Sequence, residues 1–181
     1  MLEVRNFASD DEKFRQILAR GETADSELRS AVETVIRAVR ERGDAAVCEF
    51  TRQFDHVDLA PEKLLVDTEE FTAAQKQVSE EFLTAVALAR VNIRRFHEYQ
   101  RRSGYIHDDG DGVRLAKRVL PLSRVGVYCP AGTAPLFSSL LMNVIPAQIA
   151  GVGHIQVAVP PGADGKVDAH ILVTAKLLGV D

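Results

Sequence analysis

Tyr128, Cys129 and the loop Pro130-Ala131-Gly132-Thr133-Ala134-Pro135 are the residues best placed to do chemistry. They stand where a strand-like run, Val125–Cys129, gives way to a helical run, Leu136–Ala150. Open α/β sheets bind ligands at such strand ends. Gly126 and Gly132 permit a tight backbone, and the amides of Ala131, Gly132 and Thr133 could face an anion near a helix N-terminus. The loop is not a GxGxxG fingerprint, so spacing alone leaves an ordinary turn as the plainer reading, with Tyr128 as a packing aromatic. Cys129 offers a thiol, but no base stands at a spacing that would activate it. Pro146 lies inside the following helix and frees the carbonyl of Met142. Asn143 then faces those freed carbonyls, a ligand or solvent. His56, His97, His107, His154 and His170 show no metal-ligand spacing, and zinc needs at least three clustered donors. Arg94, Arg95, Arg101 and Arg102 surround His97 and Tyr99 on one helix. They form either a phosphate- or RNA-binding face or, more simply, a solvated face or subunit contact. These residues assemble no complete acid–base or nucleophilic apparatus.

The elements that must position them change character along the chain. Before Gly104 the sequence reads as helices, over 10–20, 26–42, 44–54 and 80–102, the first, second and last of them carrying an apolar stripe at helical spacing. Gly43 and Asp44 mark one junction, Ser79 is an N-cap candidate, and Phe82, Val86, Ala89, Ile93 and Phe96 form the longest stripe. Lys63–Val66 reads as a short strand. Tyr105–His107 and Val113–Leu120 flank the turn residues Asp108–Gly112 and predict a hairpin. A boundary falls at Pro121–Arg124. Beyond it, Val125–Cys129, Leu136–Ala150, His154–Val159 and a helix capped by Asp168 and ended by Gly179 follow the β-α-β-α grammar of a parallel sheet. The expected fold is α/β: a helical N-terminal arm, a small α/β piece with a hairpin, then an incomplete Rossmann-like sheet. The expected domains are 1–124 and 125–181. Two parallel strands alone would leave sheet edges and one apolar face uncovered.

Composition narrows the class. The chain has 181 residues, of which 46% are hydrophobic and 27% charged, a globular balance. Its 26 acidic and 22 basic side chains give a net charge of −4, which weighs against a nucleic-acid partner. No apolar run approaches the ~20 residues of a membrane span. The first residues lack a signal-peptide layout. Two distant cysteines, Cys48 and Cys129, suggest neither a disulfide framework nor a metal knuckle. A cytoplasmic protein without a membrane partner is expected.

Several segments carry a specific likeness. Val125-Gly126-Val127-Tyr128-Cys129-Pro130, Gly132-Thr133-Ala134-Pro135, Ser138-Ser139, Leu141-Met142-Asn143 and Pro146-Ala147 closely resemble the histidinol dehydrogenase family. Asn92-Ile93-Arg94-Arg95-Phe96-His97 with Gln100, Pro160-Pro161-Gly162, Ala175-Lys176-Leu177 and Gly179-Val180 continue the resemblance. One departure is Ala131, where the family usually has the first glycine of a Pro-Gly-Gly turn; a positive φ there would make alanine costly, of order 1 kcal/mol.

The resemblance implies an NAD-dependent, zinc-assisted oxidation of L-histidinol to L-histidine by two hydride transfers through a bound aldehyde. It also implies an intertwined homodimer with two Rossmann-like domains. It reaches only the amino-terminal, smaller part of the family's length. The family's zinc ligands, its catalytic glutamate–histidine pair and most substrate contacts belong to later segments, so no catalytic or metal residue transfers to this chain. Tyr128 alone transfers, as an NAD-contacting tyrosine. The expectation is an amino-terminal portion, inactive alone, whose partner is a second copy or the carboxyl-terminal half. The alternatives are a non-catalytic binding or interaction module, and a portion of a relative that oxidises another amino alcohol or diol.

Overall fold

The computed structural model describes residues 12–19, 26–131 and 134–180. The chain divides into two compact units, Met1–Phe50 and Thr51–Asp181. In the first, α1 (Glu12–Ala19), α2 (Ser26–Arg42) and the start of α3 (Asp44–Phe54) form over the expected spans. Gly43 joins α2 to α3 at φ +58°, a conformation open to glycine without a Cβ penalty. Leu28, Val32 and Ile36 of the α2 stripe are exposed, and α2 buries no residue.

The second unit opens with a correction. Lys63–Val66 is not a strand. A 3₁₀ turn covers Pro61–Lys63, and a helix that the periodicity did not show, α4 (Thr68–Gln75), follows at once. Pro61 favours the turn by fixing φ. Asp67 then commits the chain to α4 through a reciprocal capping box: its carboxylate accepts from the Glu70 amide at 2.9 Å, and Glu70 Oε1 accepts from the Asp67 amide at 3.4 Å.

Ser79 caps α5 (Glu80–Glu98), accepting from the Phe82 amide at 3.1 Å. Val86 is buried, and Phe82, Ala89 and Ile93 pack beside it in the core, whereas Phe96 is 64% exposed. The hairpin forms as expected from β1 (Tyr105–Asp108) and β2 (Arg114–Lys117), antiparallel, with Tyr105 opposite Lys117. Gly104 has to be glycine, because an added Cβ would run into the carbonyl oxygen of Lys117.

The remaining elements are β3 (Arg124–Tyr128), α6 (Phe137–Ile149), β4 (His154–Ala158) and α7 (Ala169–Leu178). β3 and β4 pair in parallel from Arg124 opposite His154 to Tyr128 opposite Ala158. Val127 and Ile155 turn to a core built with Leu140, Leu141, Val144 and Ile145 of α6 and Ile171, Ala175 and Leu178 of α7. Both helices therefore cover the same sheet face. The other face carries Arg124, Gly126, Tyr128, His154, Gln156 and Ala158, all exposed. The uncovered face is thus polar rather than apolar, because the alternation of β3 and β4 sends every branched aliphatic side chain to the helix side. Helix α6 runs through Pro146 unbroken. Asp168 caps α7 by accepting from the His170 amide at 2.8 Å, and Gly179 ends it at φ +65°.

Candidate functional site

The site is built where β3 ends. Tyr128 is the last residue of the strand and is 65% exposed, on the sheet face away from the helices. The next residue turns the opposite way. Cys129 is fully buried, and its amide donates to the Ala158 carbonyl at 2.9 Å, closing the top of the sheet. Its thiol lies 3.4 Å from the Leu136 carbonyl, and the Leu136 amide donates to Pro130 at 3.3 Å. The two ends of the loop are thereby drawn together. Burial pushes the Cys129 thiol above its ordinary value, with a backbone hydrogen bond from Leu140 pulling the other way. A buried neutral thiol is a packing group and not a nucleophile.

Helix α6 starts from this loop without a side-chain cap and without an acidic residue in its first turn. That leaves the positive end of the helix dipole unopposed by its own side chains, as an anion-accepting end requires. Of the amides expected to face an anion, Ala131 is described, while Gly132 and Thr133 lie outside the described residues. Ala131 does not need glycine's freedom, since among the described non-glycine residues His56 alone has a positive φ. The strain anticipated at Ala131 is therefore not present.

A crevice of about 480 Å³ opens on the helix side of the same strand ends, between Ala131 and Pro135 on one loop and Pro160 and Gly162 on the other. Its floor includes Ala74 of α4 and His170 of α7. Its carboxylates are held by their own backbones. Asp164 accepts from the Lys166 amide at 3.1 Å, Asp168 caps α7, and Glu70 belongs to the capping box. Tyr128 does not line this crevice. The α4 wall escaped periodicity, although Asp67 three residues before Glu70 was a readable signal.

The other candidates disperse. Arg94 leaves the proposed basic face to donate to Gln148 at 2.9 Å, and Gln148 donates to the Leu178 carbonyl at 2.6 Å. His97 pairs with Gln100 at 2.7 Å, and His170 with Asp168 at 3.0 Å. Asn143 donates to the Ser139 carbonyl at 2.7 Å, one turn back, and not to the position freed by Pro146. Among the described residues no group of three or more His, Cys, Asp or Glu side chains could hold a metal ion. These residues do not fit zinc. No helix among the described residues is long and apolar enough to cross a membrane.

The histidinol dehydrogenase family model matches residues 18–181. The histidinol dehydrogenase of Halalkalibacterium halodurans is 45% identical over 152 residues, covering 84% of this chain and 35% of that protein. That of Geobacter sulfurreducens is 40% identical over 181 residues, covering 99% of this chain and 42% of the relative. The crystal structure of histidinol dehydrogenase from Elizabethkingia anophelis superposes with a TM-score of 0.77 at 37% identity, over 84% of this chain and 35% of that one. The chain thus spans between a third and a half of the length of these relatives.

Proposed function

Because the chain belongs to the histidinol dehydrogenase family, we propose that it forms the amino-terminal portion of an enzyme that oxidises L-histidinol to L-histidine with NAD. The observation that carries this reading is Tyr128, an exposed aromatic at the carboxyl end of β3, next to the uncapped start of α6. Tyr128 supplies an aromatic wall for the dinucleotide, and the α6 N-terminus accepts its negative charge. NAD, when bound, takes up the hydride. The chain's own residues hold and orient the cofactor and carry no proton in the reaction. The domain division lies at 124/125, with 125–181 opening the cofactor-binding domain. The working enzyme is a cytoplasmic homodimer. Zinc and the groups that handle the proton come from the remaining length of the enzyme.

The test is an NAD titration followed by amide NMR shifts in the wild-type chain, Tyr128→Phe and Tyr128→Ala. Shifts confined to residues 126–136, kept in the phenylalanine variant and lost in the alanine variant, are expected. A half-site should bind weakly, with a dissociation constant near or above about 1 mM, or about −4 kcal/mol. No shifts at high NAD, with a large fall in melting temperature for Tyr128→Ala, would make Tyr128 a packing residue and remove the cofactor reading. Histidinol and zinc added to the chain alone should yield no NADH; turnover above background would overturn the division of labour.

A further inference from the structure

One aromatic ring stands between the starts of the two helices that lead away from the strand ends. Ser79 holds the Phe82 amide in the first turn of α5 at 3.1 Å. The half-buried Phe82 ring meets Phe137, the first residue of α6, edge to face at 5.0 Å and 85°. It meets His170, the second residue of α7, in the same way at 4.6 Å and 88°. The two helix starts are not anchored alike. Helix α7 has its Asp168 cap, which accepts from the His170 amide at 2.8 Å and pairs with the His170 ring at 3.0 Å. Helix α6 has no side-chain cap, and its neighbours place its start: the Leu136 amide bonds Pro130, the Cys129 thiol lies beside the Leu136 carbonyl, and the Phe82 ring abuts Phe137. Phe82 thereby ties the uncapped helix start to the capped one.

The far ends of the same helices are tied as well. Arg94, further along α5, donates to Gln148 near the end of α6, and Gln148 donates to the Leu178 carbonyl at the end of α7. With that end held, a change at Phe82 tilts α6 and moves its start most. A helix of 13 residues is about 20 Å long, so a tilt of about 3° displaces its start by about 1 Å. Close packing passes such a shift on to the neighbours, and a binding site works only when its groups are held to within about 0.5 Å. We infer that Phe82 is a positioning residue for the cofactor. Acting through Phe137, its ring sets where the start of α6 stands and, with it, the loop that leads there from Tyr128. This inference rests on the reading of Tyr128 and the α6 start as the NAD-binding groups.

The test compares the wild-type chain with Phe82→Leu and with a control further along α5 in the same core, Ile93→Ala. Two readouts are taken by amide NMR. The first is hydrogen exchange without cofactor. In Phe82→Leu the Leu136 amide should accelerate about 10-fold relative to the amides of His170 and Cys129, the scale of one lost edge-to-face pair. The second is the initial slope of the NAD-induced shifts at residues 126–136. It should fall about 10-fold in Phe82→Leu, on the same scale, and keep its wild-type value in Ile93→Ala. If Phe82→Leu does not fold, Phe137→Leu removes the same contact from the α6 side and carries the same expectations. Equal acceleration at all three amides, or an Ile93→Ala slope reduced as far as that of Phe82→Leu, would make Phe82 an ordinary core residue and overturn the inference. Wild-type shifts that Phe82→Leu leaves unchanged overturn it alone and spare the cofactor reading. A wild-type chain without NAD shifts takes down the cofactor reading and this inference with it.

Discussion

Cys129 and His56 show how a single residue can be set by its surroundings. The Cys129 thiol sits at 0% exposure, and burial raises it above the ordinary 9.0. A raised folded value means the neutral thiol is favoured in the folded chain. That stability is complete below the unfolded thiol's pKa and is lost as pH rises through the raised folded value. Wild-type stability should therefore fall more steeply above pH 9.0 than that of Cys129→Ala, measured by urea unfolding at stepped pH. Parallel alkaline limbs in the two proteins would refute this. His56 has the opposite character. It holds φ +59° just after α3, where a Cβ costs about 1–2 kcal/mol. His56→Gly should stabilise the chain by about 0.5–1 kcal/mol, after glycine's larger unfolded-state entropy offsets part of the relief. A loss of stability in that variant would show that the imidazole makes contacts worth more than the strain.

At the scale of elements, α4 and α5 show what the sequence could and could not convey. The eight residues of α4 were invisible to periodicity because Phe71 and two alanines make too thin a stripe. Their capping box was written plainly as Asp67 and Glu70. If that box holds α4, Asp67→Ala should cost about 1 kcal/mol, read from the urea midpoint, and Glu70→Gln should cost less. Equal, negligible effects would mean that α4 stands on packing alone. In α5 the stripe was legible through Ile93 and failed at Phe96, for a geometric reason. Phe82 meets Phe137 edge to face at 5.0 Å, and Arg94 bonds Gln148, so α5 and α6 run side by side from start to start and end to end. Helix α6 stops at Ile149, and the last turn of α5 continues past it with Phe96 against His97 instead. Helix period is a local property, whereas the length of a neighbour is not. The same limit applies to the site. Tyr128 could be located from a strand end and a family likeness, but the helix-side crevice required α4, α7 and two loops to meet.

For the whole molecule, each of the two units exposes apolar surface among the described residues. On α2, Leu28, Val32 and Ile36 stand one turn apart at 64%, 49% and 44% exposure. On the hairpin, Tyr105 and Leu115 share one face and are each more than half exposed. Scattered exposed leucines are ordinary, but stripes at helical or strand spacing mark surfaces that associate. The polar outer face of β3 and β4 points the other way, since charged and amide side chains do not drive collapse onto a second copy. Association of the chain alone should therefore run through the α2 stripe before the sheet face. Size-exclusion chromatography with light scattering should show a species larger than the 19.9 kDa monomer. Val32→Glu with Ile36→Glu should shift it toward monomer, while Gln156→Glu on the sheet face should not. A clean wild-type monomer that melts in one sharp transition would show that α2 is satisfied within its own chain. Association unaffected by the α2 pair but abolished by Gln156→Glu would move the contact to the sheet.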